Sequence, residues 1–174
     1  MEEYYRDYGS QIIQDTNQES TDFMKCLKLV STKSDEIIRG SARKLDVVAL
    51  GSLGGRVDQG LSQLHHLYMA SEDASLHIRQ ILLLTPESIT FLLHKGLNKI
   101  YTPHGRSLAE NVGILPIGRP AVISTKGLEW DVHDWKTEFG GQISTSNHVK
   151  SDVVEVETTE RVVFTIELAD SQNH

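Results

Sequence analysis

The spacing of apolar positions along this chain follows two different rules, one in its first half and one in its second. Between residues 21 and 30, Phe23, Cys26, Leu27 and Val30 recur at the three- and four-residue intervals of a helix, with Ser20 or Thr21 placed as its N-cap and Asp22 in its first turn. Residues 45–50, Leu-Asp-Val-Val-Ala-Leu, read as a buried strand, and Val57, Leu61, Leu64 and Tyr68 form the apolar stripe of a second helix. Ile81-Leu82-Leu83-Leu84 gives a further strand, and Gln11-Ile12-Ile13 a shorter strand-like run ahead of a polar loop over 14–20. Strands and helices alternating in this way build a parallel sheet with covering helices.

Beyond Thr85-Pro86 the rule changes. Short β-prone runs follow at 89–93, 99–101, 112–115, 121–123, 153–156 and 162–166, punctuated by Gly96, Gly105, Gly118, Gly127, Gly140 and Gly141. Short strands with frequent turn signals and no helix-length amphipathic pattern predict a compact all-β module. The fold class expected is therefore α/β plus all-β, with the boundary falling between about Ile89 and Tyr101 on pattern reasoning. The tail over 170–174 is polar enough to be disordered.

Composition narrows the function. With 174 residues, 39% of them hydrophobic, the chain buries a real core. A formal net charge of -7 and a pI near 5.6 argue against a nucleic-acid binder, which needs clustered Lys and Arg. Cys26 is the single cysteine, so no intrachain disulfide and no multi-cysteine zinc site form, and the cytoplasm is the expected location. Its place in an apolar helical stripe predicts a small buried thiol. No apolar run approaches the ~20 residues of a membrane span, and the first residues lack the basic and apolar regions of a signal peptide. A start so close to a helical pattern suggests that something once preceded it. His65 and His66 are adjacent on a helix and point in different directions, which predicts ordinary surface or boundary residues.

The most informative segment is Gly51-Ser52-Leu53-Gly54-Gly55-Arg56-Val57-Asp58-Gln59, a glycine turn between strand and helix. Such a turn lets backbone approach a phosphate, and the first amides of the following helix are unpaired donors at the positive end of its dipole. Arg56 adds a guanidinium suited to phosphate, and Asp58 a carboxylate able to hold a metal ion or accept a hydroxyl proton. The plainer alternative is a tight turn with both side chains solvated. No Lys follows the glycines, so this is not a Walker loop, and the spacing is not the dinucleotide fingerprint. Gln18, Thr21 and Asp22 occupy the equivalent place before the first helix, and ligands of open α/β sheets bind where such loops gather. A second cluster pairs Trp130, after Thr125-Lys126-Gly127-Leu128-Glu129, with Ser144-Thr145-Ser146-Asn147. It offers a ring to stack on and hydroxyls and an amide to hydrogen-bond, against the alternative of core or turn packing for Trp130 and a hairpin loop for 144–147.

Taken together these segments resemble thiamine pyrophosphokinases. Asp15-Thr16-Asn17-Gln18-Glu19-Ser20-Thr21-Asp22-Phe23-Met24-Lys25 is similar to the family's D-x-x-Q-x-x-T-D-F-x-K, the glycine turn to its G-x-x-G-G-R-x-D-[HQ], and the Thr125 to Trp130 and Ser144 to Asn147 segments to its T-x-G-L-x-W and S-T-S-N. The resemblance implies an α/β catalytic domain over 1–95, parallel-sheeted and N-terminally incomplete, and a β-sandwich thiamine-binding domain over 96–174. It implies a homodimer with thiamine between the first domain of one subunit and the second of the other, ATP as co-substrate, and Mg²⁺. By the same likeness Asp22 is a metal ligand, Arg56 and Asp58 the catalytic pair, and Gln18, Thr21, Lys25, Gly54 and Gly55 surround the phosphates and substrates. Trp130, Ser144, Ser146 and Asn147 would line the thiamine pocket. One departure stands out: the family's D-G-D-x-D-S motif, which supplies further Mg²⁺ carboxylates, is absent. A non-catalytic chain that binds thiamine or pairs with a full-length subunit is the competing expectation, and a nucleotide-dependent oxidoreductase a weaker third.

Overall fold

The computed structural model describes residues 2–37, 43–103 and 107–169. Gly105 and the polar tail from 170 lie outside the described residues. The chain divides into two compact units, residues 1–43 and 44–174.

The first unit carries α1 (Glu2–Asp7), α2 (Asp22–Thr32) and α3 (Ser34–Ile37). Thr21 is the N-cap of α2, its Oγ1 accepting the Met24 N–H at 3.2 Å. This satisfies one of the otherwise orphaned first-turn donors. The buried face runs through Met24, Leu27 and Ser31, three and four residues apart, so the stripe is rotated from the expected one and Cys26 falls outside it, exposed. The buried thiol is thus corrected to a surface one. The Gln11 to Ile13 run is also corrected. It forms no strand, because the described residues of this unit include no second strand to pair with, and Ile13 is exposed.

The second unit holds β1 (Leu45–Leu50), α4 (Val57–Glu72), β2 (Ile78–Leu84), β3 (Ser88–Leu93), β4 (Gly96–Tyr101), β5 (Leu108–Leu115), β6 (Ala121–Lys126), β7 (Trp135–Thr137), β8 (Ser144–His148), β9 (Val153–Thr158) and β10 (Val162–Leu168). Six strands form one sheet in the order β1-β2-β3-β10-β5-β8, and four form another, β4-β9-β6-β7. β1 and β2 run parallel, Val47 opposite Ile81 and Leu50 opposite Leu84, joined by the α4 crossover that parallel pairing requires. The remaining pairings are antiparallel, and β2 pairs with β3, so the α/β part and the β module share a sheet. The architecture is mixed and sheet-rich. Phe164, Ile114, Val112 and Val162 of the first sheet pack with Ile123, Val154, Val156 and Ala121 of the second in one apolar cluster. Alternating inward positions on two facing sheets give this core.

α4 also departs from the expected stripe. Val57 and Leu61 are 78% and 57% exposed, while His66 and Leu67 face inward. His66 is 2% exposed, not a boundary residue, and its Nδ1 lies 2.5 Å from the Ser62 carbonyl. The far end of α4 is tied to the β9–β10 turn. Arg161 stacks on the Tyr68 ring at 5.3 Å, donates to the Tyr68 carbonyl and Ser71 Oγ, and pairs with Glu72. The Tyr68 hydroxyl accepts the Gly118 N–H at 3.3 Å, and a Cβ on Gly118 would come within 2.8 Å of the Tyr68 ring.

Candidate functional site

β1 delivers the chain into the glycine turn with Gly51, Leu53 and Gly55 all at positive φ (72°, 62° and 76°). A Cβ at Gly51, Gly54 or Gly55 would meet nothing within 4 Å, so this backbone faces open space. The Ser52 hydroxyl donates to the Ala49 carbonyl at 3.1 Å and pins the turn. Arg56 is the N-cap of α4 and makes no side-chain cap bond, so the first amides of the helix receive nothing from it. Its guanidinium instead forks onto Asp58, Nε to Oδ1 at 3.1 Å and Nη2 to Oδ2 at 2.6 Å. That bidentate pair holds the Asp58 carboxyl below the usual carboxylate range. The turn thus presents backbone donors, a cation and an ionised carboxylate together.

In the first unit, Asx turns at Asp15 and Asn17 shape the loop carrying Gln18 into α2. The Lys25 ammonium donates to Asp22 Oδ1 at 3.3 Å and to the Asp15 carbonyl at 3.2 Å. Asp15, Asn17, Asp22 and Lys25 line a cavity of about 560 Å³. Thr21 Oγ1 serves the helix cap, and Asp22 is exposed.

The third group lies where β6, β7 and β8 converge. Trp130, 56% exposed, borders a pocket of about 210 Å³ also lined by Thr125, Trp135, Ser144, Thr145 and Asn147. Exposure disposes of the alternative that Trp130 is core. The Ser144 to Asn147 segment, read alternatively as a hairpin loop, is most of the edge strand β8, with Val112 opposite Asn147. Ser146, at φ 55°, lines a neighbouring groove with Glu87, Asn111, Gly113 and Glu167. Ser144 and Asn147 meet at the Trp130 pocket, and Ser146 borders the other depression.

The sequence reading gave no role to Asp131 or His148. The Asp131 carboxylate accepts the Thr125 hydroxyl at 2.9 Å and the Gly127 and Leu128 N–H groups at 2.9 and 3.1 Å, winding the loop around itself. Gly127 is at φ 98°, and a Cβ there would fall 2.7 Å from the Val153 carbonyl oxygen. Asp side chains commonly bond main-chain groups three or four residues away, and an Asp following Gly127 was the available signal. The His148 ring lies 5.1 Å from the Trp130 ring, tilted by 44°. Its Nδ1 is 2.7 Å from Glu129, whose carboxyl is held low by His148 and then by Lys150.

The glycine turn follows β1 at one edge of the six-stranded sheet, and Ser144 and Asn147 lie on β8 at the other. Five strand spacings separate them, about 24 Å across the sheet at ~4.8 Å each.

Residues 1–79 match the family model described as thiamin pyrophosphokinase, catalytic domain, and residues 98–163 the one described as thiamin pyrophosphokinase, vitamin B1 binding domain. Thiamine pyrophosphokinase of Saccharomyces cerevisiae is 29% identical over 95% of this chain and 64% of its own length. Thiamine pyrophosphokinase 2 of Arabidopsis thaliana is 31% identical over 95% of this chain and 60% of its own. Among solved structures, thiamin pyrophosphokinase from Candida albicans superposes with a TM-score of 0.83 at 26% identity, covering 97% of this chain and 68% of that one. The yeast enzyme superposes at 0.82 and 28%, covering 97% and 65%. The chain thus spans about three fifths of the length of these two curated relatives.

Proposed function

The chain belongs to the thiamine pyrophosphokinase family, and from that premise we propose that it transfers a diphosphoryl group from ATP to thiamine, giving thiamine diphosphate and AMP. The observation carrying the reading is the Trp130 pocket. An exposed indole beside a cavity bordered by hydroxyls lies within the stretch that matches the vitamin B1 binding description. An aromatic face of this kind suits a planar heteroaromatic ring, with Ser144 beside it to hydrogen-bond ring nitrogens. We assign 1–95 to an α/β catalytic domain and 96–174 to a β-sandwich that binds thiamine, a division supported by the ends of the two matched stretches, 79 and 98.

The thiamine hydroxyl oxygen attacks the β-phosphorus of ATP in line, its bond to phosphorus forming as the bond from that phosphorus to the α,β-bridging oxygen breaks and AMP leaves. Asp58 receives the hydroxyl proton, Arg56 turns from Asp58 to the phosphate charge, and the backbone around Gly54 and Gly55 approaches the phosphates. Lys25 adds a second cation, and Gln18 and Thr21 flank the nucleotide and thiamine. Transfer of this kind depends on positioning and charge neutralisation more than covalent work by the protein. Mg²⁺ takes one or two protein carboxylates beside substrate phosphates; Asp22, exposed and paired with Lys25, would be one of them, since among the described residues no cluster of three or more His, Cys, Asp or Glu could hold the ion by itself. The ion would neutralise phosphate charge.

The glycine turn follows β1 at one edge of the six-stranded sheet and β8 forms the other edge, which supports a homodimer in which a second copy supplies the other half of the site. A cytoplasmic location fits a chain whose described residues include no helix long and apolar enough to cross a membrane. The test is AMP release from ATP by purified 1–174 with Mg²⁺, with and without thiamine. Thiamine-dependent AMP is the expected result, and its absence would sink catalysis by this chain. One observation favours a second reading, a chain that binds thiamine or pairs with a full-length subunit without turnover: the Arg56–Asp58 fork leaves the two proposed catalytic groups engaged with each other.

A further inference from the structure

We propose that Asn147 is a positioning residue, which touches no part of thiamine and acts by holding Trp130 in place over the pocket. The proposal rests on the assignment of that pocket to thiamine. Asn147 is only 6% exposed, and its carboxamide is committed to main chain at both ends. Oδ1 accepts the Trp130 N–H at 3.1 Å and the His148 N–H at 2.8 Å, while Nδ2 donates to the Trp130 carbonyl at 2.9 Å. One side chain therefore bonds both backbone groups of a single residue 17 positions away, fixing its orientation as well as its distance.

Why Trp130 needs such a clamp follows from its surroundings. It lies in a turn with no ladder partner of its own, and at 56% exposed it is not held by burial. Asn147, by contrast, stands on β8, in register with Val112 of β5. The sheet is the fixed body and the loop is tied to it. A further bond, Glu129 N–H to the His148 carbonyl at 2.8 Å, and the Leu128–Val149 bridge close the same seam. The imidazole on which the indole leans belongs to the residue whose N–H Asn147 also accepts. Both the backbone of the indole and the residue behind it are thus set by one carboxamide. The group has to donate and accept at once. An Asp of the same shape keeps the acceptor but points a carboxylate at the Trp130 carbonyl.

The experiment is a double-mutant cycle on the full chain, reading the thiamine dissociation constant by calorimetry for wild type, N147D, W130A and the double variant. A positioning role predicts that N147D weakens thiamine binding about fivefold, the scale of one lost hydrogen bond, and changes the near-ultraviolet circular dichroism of the ligand-free protein. In the W130A background the same substitution costs nothing further. A full fivefold loss retained in that background means direct contact with thiamine and overturns the proposal, as does unchanged binding in N147D. If W130A alone leaves thiamine affinity untouched, the pocket assignment itself fails and takes the proposal with it. Should N147D not fold, N147S, with a short donor and acceptor, enters the same cycle under the same criteria.

Discussion

Asp58 and Arg56 fork onto each other in the structure, and the proposed mechanism requires them to part and act on substrate. Asp58→Ala is expected to lower thiamine-dependent AMP release by about a hundredfold or more, the scale of a lost general base, with circular dichroism unchanged. Retained turnover would remove Asp58 from the mechanism. Trp130→Ala is expected to raise the thiamine dissociation constant about tenfold and to leave ATP affinity alone. An unaltered value returns the indole to a packing role. These residues stand out as candidates in the sequence because their types are chemically conspicuous beside glycines. Asp131 and Asn147 were harder to read: Asp131 serves backbone groups brought near by a turn, and Asn147 serves a residue 17 positions away. Cys26 and His66 were misread for another reason. Each sits on a helix whose buried face is set by neighbours outside its own segment, so a modest rotation of the stripe exchanges inside for outside.

Among the elements, those whose boundaries follow from local chemistry were placed correctly. Thr21, one of the two caps the sequence offered, caps α2, and Thr21→Ala should cost about 1 kcal/mol, read from the denaturation midpoint. Most of the apolar strands were also visible, because alternating or continuous β-branched residues leave few other readings. β8 was not. Ser144-Thr145-Ser146-Asn147 has no apolar member, and such a run becomes a strand only when an edge such as β5 is there to receive it. The loop between β6 and β7, which carries Trp130, turns at Gly127. Gly127→Ala combines an unfavourable positive φ with a clash against a carbonyl oxygen, and should cost about 1–3 kcal/mol and loosen the Trp130 pocket. A stability unchanged in urea unfolding would show that the loop relaxes freely.

Across the whole molecule, the sequence conveyed the order of strands but not which distant strands meet, since pairing β3 with β10 depends on the shared core and not on either segment alone. The core also sets a pH dependence. Burial pushes the His66 imidazole below its ordinary pKa, so the folded state resists a proton that the unfolded chain accepts. Stability from this group is intact above about pH 6.5 and is lost as the pH drops below it. His66→Gln should therefore flatten the decline of melting temperature as the pH falls below about 6.5, and a parallel decline in the two proteins would exclude His66 as its source.

The placement of β10 between β3 and β5 bears on how the chain is made. While it emerges from the ribosome, β3 and β5 each present an unsatisfied edge until residues 162–168 arrive, some 70 residues after β3. Closing so long an interval is slow, and naked edges invite pairing between chains. A polypeptide stopped at Arg161 would accordingly collect in the insoluble fraction, with its first-synthesised strands stranded by the loss of its last.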